Sequence, residues 1–251
     1  MLAPFGAGRL YAARKDITAA TPIEFGVLQD CAIDFGFTTK ALQGQNQLAV
    51  FVARGTAKWT VKAKTGILSG RMVNDLFFGQ AYTSASQVAF AAGEAATVPA
   101  SSTYTCTVAN SSTFVADFGV VYTSGASQGL PLVNVASGPA TGQYSFAAGV
   151  YTFAAGDASA AVAISYTYTT STGGKIVLTN PLSGTTPYFQ GVFRNRDPRT
   201  GLFSTYVFNR LTSSKLGIAS KNADYSIPEF DMEIMDDGTG NIGTMSFGDT
   251  A

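Results

Sequence analysis

The sequence predicts a mainly β fold with one flanking helix and an inserted all-β unit. Three observations carry this expectation. Apolar and polar residues alternate with a period of two in stretches spread along the chain. One segment, about Ser69 to Phe78, repeats its apolar residues at helical spacing instead. From Gln80 to Gly174 charge nearly vanishes: Glu94, Asp117 and Asp157 are the only charged residues, and all sixteen Lys and Arg lie outside.

Taken in order, the N-terminal part through Gly79 reads mostly as strand. Gly6-Ala7-Gly8 reads as a flexible arm. Ile33, Phe35 and Phe37 alternate with Asp34, Gly36 and Thr38. In Ala57–Lys64, Trp59, Val61 and Ala63 point one way while Lys58, Thr60, Lys62 and Lys64 point the other. The helix follows, with Met72, Val73, Leu76 and Phe77 on its apolar side and Gly79 as its stop. Within the charge-poor stretch, Thr103–Val108 and Ala163–Thr169 alternate cleanly and are rich in β-branched and aromatic residues. Tyr144–Gly149 and Tyr151–Gly156 form a near-repeat, read as short strands divided by Ala-Gly turns. The C-terminal part offers candidate strands at Ile176–Asn180, Tyr188–Arg194, Ser204–Leu211, Ser226–Met235 and Thr244–Phe247. Asp197-Pro198 and Asp237-Gly238 mark turns, the second read as a hairpin tip. The domain expectation is a core built from 1–79 and 175–251, with 80–174 as the inserted unit.

Composition narrows the function. Charged residues are 13% of the chain, about half the usual share, so the surface is built from neutral polar residues. Such a surface suits burial against copies of itself, because few charges must be desolvated. Net charge is zero, which gives no global basic field for nucleic acid. Histidine is absent, removing the commonest general base and metal ligand. Cys31 and Cys106 are the only cysteines; they read as buried free thiols, with one disulfide as the alternative, and they are too few for a four-ligand zinc site. The N-terminus lacks the pattern of a signal peptide and no apolar run spans a bilayer, so folding in a cytoplasm without membrane binding is expected.

No motif supplies catalysis. Gly125-Ala126-Ser127-Gln128-Gly129 fits a nucleophile elbow in letters, but no histidine exists to act as base and no helix follows. Gly173-Gly174-Lys175 lacks the rest of a phosphate-binding loop. Asp236–Asn241 crowds oxygens around glycines without EF-hand spacing. Glu229, Asp231 and Glu233 alternate with Phe230, Met232 and Ile234, which puts three carboxylates on one strand face. Three readings stand: a solvated face, a glycosidase-like carboxylate pair, or an acidic strip facing a channel or a basic neighbour. Two basic regions qualify as that neighbour: the face of Lys58, Lys62 and Lys64, and the region of Arg194, Arg196 and Arg210. Charge is segregated further along, since seven acids and no base follow Lys221. Segregation of this kind favours head-to-tail contact between copies. No enzyme activity, cofactor or metal is expected.

Several segments resemble bacteriophage tail tube proteins. They are Gly8–Tyr11, Thr21–Asp30, Thr39–Gly44, the strand around Trp59, the helix ending Asn74–Gly79, and the closing stretches Tyr225–Phe230 and Gly240–Gly243. The middle, with Gly142-Gln143-Tyr144 and Gly149–Phe153, is similar to an added β unit of some tail subunits. The resemblance implies a β-sandwich or barrel core with one flanking helix. It implies hexameric rings that stack into a hollow tube, carrying the tape measure protein and later DNA. Tail terminator and distal tail proteins would close the ends, in a virion tail assembled in the host cytoplasm. It points to Thr39–Gly55 as a ring-stacking loop, polar at Gln43, Gln45 and Gln47 and apolar at Leu48, Val50 and Phe51; an intramolecular hairpin is the alternative. The acidic strip then faces the lumen or the next subunit. The inserted unit fits the exterior of a bare tube, hence a long non-contractile tail. Rival expectations are a head-decoration or tail-terminator protein, and a carbohydrate-binding β-sandwich of a host-recognition fibre using Tyr122, Tyr144, Tyr151, Tyr166 and Tyr168.

Overall fold

The computed structural model describes residues 2–84 and 86–250. They divide into two compact units, one of residues up to Tyr82 and from Ile176, the other Thr83–Lys175. In chain order the first unit opens with β1 (Arg9–Arg14), β2 (Ile23–Glu24), β3 (Leu28–Gln43), β4 (Ala49–Thr65) and α1 (Gly70–Val73). Then come β5 (Tyr82–Thr83), β6 (Gln87–Thr97), β7 (Thr105–Thr107), β8 (Phe114–Tyr122), β9 (Val133–Asn134), β10 (Gln143–Ala147), β11 (Val150–Phe153) and β12 (Ala161–Thr170). The chain ends with β13 (Lys175–Ile176), β14 (Phe189–Arg196), β15 (Phe203–Gly217), β16 (Glu229–Ile234) and β17 (Gly243–Asp249). The fold is mainly β, with several sheets and one short helix.

The first unit is built on one sheet in the order β2-β1-β14-β15-β16-β4-β3, with β17 pairing β15 beyond the end of β16. The two outermost strands of that order are neighbours in sequence: only Phe25, Gly26 and Val27 separate β2 from β3. Four Cα steps from Glu24 to Leu28 reach at most roughly 14 Å, so the sheet must curl strongly. Its concave side receives the alternate residues that the period-two pattern marks. Leu10 and Ala12, Val61 and Ala63, Phe189 and Phe193, Phe208 and Leu211, and Phe230 and Met232 form one buried core, and Phe25 lies in it from the β2–β3 link. Gly191 makes room there, since a Cβ would meet Leu211 Cδ1 at 2.6 Å. Each large side chain so buried contributes about 1.5–3 kcal/mol.

Met72, Val73 and Leu76 pack the helix onto this core. α1 continues as a π turn over Asn74–Phe78 and stops at Gly79, whose φ of 64° is left-handed. The buried Asn74 secures the stop by accepting from the Gln80 backbone N–H and donating to its carbonyl. Arg14 ties the helix to β1 through Asp75 and also pairs with Asp16.

The second unit has a three-stranded sheet, β6-β12-β8, and a four-stranded sheet, β7-β11-β10-β9, which share one core. The near-repeat is a hairpin: Tyr144 pairs Phe153 and Phe146 pairs Tyr151. Ala148 and Gly149 both take positive φ at its two-residue turn, the I′ geometry that matches strand twist. β5 and β13 pair as a two-stranded ribbon.

Three sequence expectations need correction. Ile176–Asn180 is strand only at Ile176, because the segment leaves the ribbon at once and finds no ladder. Asp237-Gly238 is not a hairpin tip: β16 and β17 both pair with β15, at Leu211–Gly217 and Phe203–Phe208, and the loop carries the chain from one to the other. The Gly6–Gly8 arm is docked, not free. Phe5 N–H donates to Arg196 O, and Ala3 N–H donates to Asp197 at 2.8 Å. Gly8 sits so close to Arg194 that a Cβ would meet its carbonyl at 2.6 Å.

Candidate functional site

Two surfaces of the first unit gather the candidate residues. One is the outer face of the sheet. Antiparallel register sets Glu229 opposite Lys64, Asp231 opposite Lys62 and Glu233 opposite Thr60. On the far side of β4, Asp30 lies opposite Lys64 and Asp34 opposite Thr60. On the far side of β16, Lys215 lies opposite Asp231. Cross-strand partners share a face. The result is three columns of alternating sign, acidic on β3, basic on β4 and acidic on β16, with the single Lys215 of β15 beyond them. Lys58 Nζ lies 3.5 Å from Glu233 and Lys215 Nζ 3.9 Å from Asp231.

This arrangement revises the charge reading. The Lys58, Lys62 and Lys64 face flanks the acidic strip within one chain, and does not wait for a neighbouring copy. Five carboxylates (Asp30, Asp34, Glu229, Asp231, Glu233) stand against four ammonium groups (Lys58, Lys62, Lys64, Lys215), so the face is close to neutral. The arginines are engaged elsewhere. Arg194 stacks on Phe203 at 3.7 Å and donates to the Thr250 carbonyl, and Arg210 stacks on Tyr188 at 4.2 Å. Arg196 is exposed at the end of β14. None of the three forms an ion pair with Glu229, Asp231 or Glu233 among the described residues.

The second surface is an arm. β3 and β4 pair over their whole length, from Leu28–Thr65 to Gln43–Ala49. β16 accompanies β4 only as far as Thr60. Beyond that point two strands run alone, and every residue from Asp34 to Gln43 and from Val50 to Lys58 is exposed. Gln43 ends the first strand; Gln45 and Gln47 lie in the tip. Leu48, Val50 and Phe51 are 83%, 73% and 65% exposed, and Leu42 and Val52 are also open. An isolated two-stranded hairpin is marginal in water, and these side chains gain nothing there. At the base, Phe35 and Phe37 meet Trp59 edge to face, at 5.1 and 5.8 Å between centroids. The segment is thus a hairpin within the chain, with apolar flanks left uncovered.

The second unit holds groups whose roles the sequence did not disclose. Its three carboxylates all accept from tyrosine hydroxyls. Tyr144 and Tyr151 donate to Asp117 at 2.5 and 2.8 Å, Tyr122 to Asp157 at 2.6 Å, and Tyr166 to Glu94 at 2.6 Å. Burial, then the carboxylate bond, raises these tyrosines, Tyr122 to about 12. Tyr144, Tyr151 and Tyr166 are buried core residues and offer no stacking surface to a ligand. Gly125–Gly129 is an irregular loop after β8. Both thiols are free; burial pushes Cys31 up to about 12 and raises Cys106, which leaves them protonated near neutrality.

Among the described residues no group of His, Cys, Asp or Glu is arranged to hold a metal ion. In the Asp236–Asn241 loop the carboxylates are already occupied: Asp236 accepts from Gly238 and Gly240 N–H, and Asp237 from Thr239. Compared with protein-family models and with curated proteins, the chain matches none.

Proposed function

We propose that the chain is a structural subunit of a bacteriophage tail tube, assembling as stacked hexameric rings into a hollow conduit for DNA. The observation that supports this best is the arm. A hairpin that exposes Leu42, Leu48, Val50, Phe51 and Val52 on a low-charge chain is made to be covered by another molecule. Unpaired outer edges of β2, β3 and β17 add backbone groups that a neighbouring copy can satisfy. The nearly neutral striped face suits a wall that DNA slides along without sticking, and Glu229, Asp231 and Glu233 are its candidate lumen column. In this reading the tape measure protein and DNA occupy the lumen, terminator and distal tail proteins cap the tube, and the second unit belongs to a long non-contractile tail.

The test is negative-stain electron microscopy of the purified chain over a range of concentration and salt, beside Val50→Asp/Phe51→Asp. Stacked rings or hollow filaments are expected for the parent chain and a loss of stacking for the variant. Persistent monomers in both would count against the reading. Trimers of fixed size would move it to a decoration protein. A second reading, glycan recognition, draws on the exposed edge-to-face pair Phe90–Phe118, 5.4 Å between centroids. Binding of neutral oligosaccharides that is lost in Phe118→Ala would favour it.

A further inference from the structure

We infer that the slot between β17 and the base of the β3–β4 arm receives the arm tip of a second copy of this chain. The inference deepens the assembly reading and rests on it for one premise, that copies of the chain meet.

The slot is a fork in the sheet. Among the described residues β17 pairs with β15 alone, so its other edge presents unpaired N–H and C=O groups. β4 parts from β16 above Thr60, so its Ala49–Trp59 stretch has β3 on one side and, among the described residues, no strand on the other. Between these two edges lies a cleft of about 310 Å³, lined by Trp59, Phe208, Ile242, Gly243, Thr244 and Met245. Its floor is apolar, yet the Trp59 Nε1–H is buried without an acceptor among the described residues. A buried unpaired donor is costly, which marks the ring as a weak point of the slot's floor.

Charge selects the occupant. From Gly36 to Lys58 the arm carries Lys40, Arg54 and Lys58 and no acid. Asp236 and Asp237 lie in the loop that leads into the slot, and neither forms an ion pair among the described residues. An arm with Lys40 and Arg54 between apolar flanks complements an apolar slot entered, on its β17 side, past two acids. The chain's own tip cannot serve. The ladder runs on from Trp59 to Ala49, with register shifts after Phe37 and Leu42, and holds the tip up to roughly 30 Å from its own base. Tip and slot are different surfaces of one chain, so a copy whose tip fills a neighbour's slot still offers its own slot to a further copy.

The test mixes two single-cysteine batches of the full chain under mild oxidation. Val50→Cys with Thr244→Cys should cross-link on the order of tenfold more than Val50→Cys with Gln128→Cys, a position on the second unit. Equal yields would overturn the inference. A charge exchange gives an independent arm. Asp236→Lys/Asp237→Lys in the slot batch should lower the yield, and Lys40→Glu/Arg54→Glu in the arm batch should restore it; failure of the restoration also overturns it. Tubes seen with control-level cross-linking would sink this contact and spare the assembly reading. Full cross-linking without rings or tubes would do the reverse.

Discussion

The two units hold their carboxylates in opposite ways. In the first, many acids meet cations: Asp197 accepts from the Arg199 guanidinium, Asp16 from Arg14, and Glu233 and Asp231 lie beside Lys58 and Lys215. In the second no lysine or arginine precedes Lys175, and the acids meet neutral tyrosine hydroxyls. A carboxylate needs donors more than it needs opposite charge, and a buried phenol supplies one while its ring fills the core. The lesson is that a charge-poor domain can use its few charges as internal anchors, leaving a nearly neutral surface. The first unit instead spreads its charge in stripes over an exposed sheet.

The comparison is broken most directly at Asp117. Asp117→Leu removes the acceptor of Tyr144, Tyr151 and the Gly119 N–H. We expect a loss of about 3 kcal/mol in the second unit, with the single Trp59 reporting an unchanged first unit. Thermal unfolding followed by tyrosine near-ultraviolet dichroism and by Trp59 fluorescence separates the two. A loss no larger than a surface substitution, about 0.5 kcal/mol, would show that the tyrosines do not depend on this anchor.

Opposite limbs of the pH profile sharpen the contrast. Tyr122, Tyr144, Tyr151 and Tyr166 are raised from 10.0 by folding, so their contribution is complete below pH 10 and is lost as pH rises, through about 12 for Tyr122. In the first unit the Arg199 hydrogen bond, then the Ala3 N–H, holds Asp197 well below 3.8, and Arg14 lowers Asp16. Their contribution is present above 3.8 and is lost as pH falls. Cys31 adds one alkali-sensitive group to the first unit. The second unit should therefore fail first in alkali and the first unit first in acid, where release of Asp197 frees the N-terminal arm to proteolysis. Tyrosinate absorbance against Trp59 fluorescence over both ranges checks the order; coincident transitions on the alkaline limb would defeat it.

The smallest effect belongs to the stripes. Lys58→Ala and Glu233→Gln should each cost less than about 1 kcal/mol, and the cost should shrink with added salt, because both partners are solvated. A larger, salt-independent loss in chemical denaturation would mean that the face is more than a balanced surface.

Local patterns were legible from the residues. The alternation of Trp59, Val61 and Ala63 marks the buried side of β4, and Gly79 after an apolar helical spacing marks the helix stop. The loss of charge at Gln80 and its return at Lys175 are visible in the letters, and the chain divides at Tyr82 and Lys175. Long-range pairing was not legible. Glu229–Glu233 and Lys58–Lys64 read as separate charge blocks, and only register sets them side by side across more than 160 positions. Likewise Tyr166 reaches Glu94 over 72 positions, and nothing local to either residue announces it.

By itself, then, the sequence determined what each residue could contribute: period-two faces, one amphipathic helix, a neutral middle, and no histidine or paired nucleophile for the usual acid–base chemistry. These are short-range properties, set by side-chain chemistry and by the geometry of a strand or a turn. Tertiary structure alone decided that basic and acidic columns alternate on one face and that tyrosines hold the acids of the second unit. It also left the arm beyond Thr60 without a third strand. Those outcomes depend on which strands pair and in what register, which is settled by burying both cores at once.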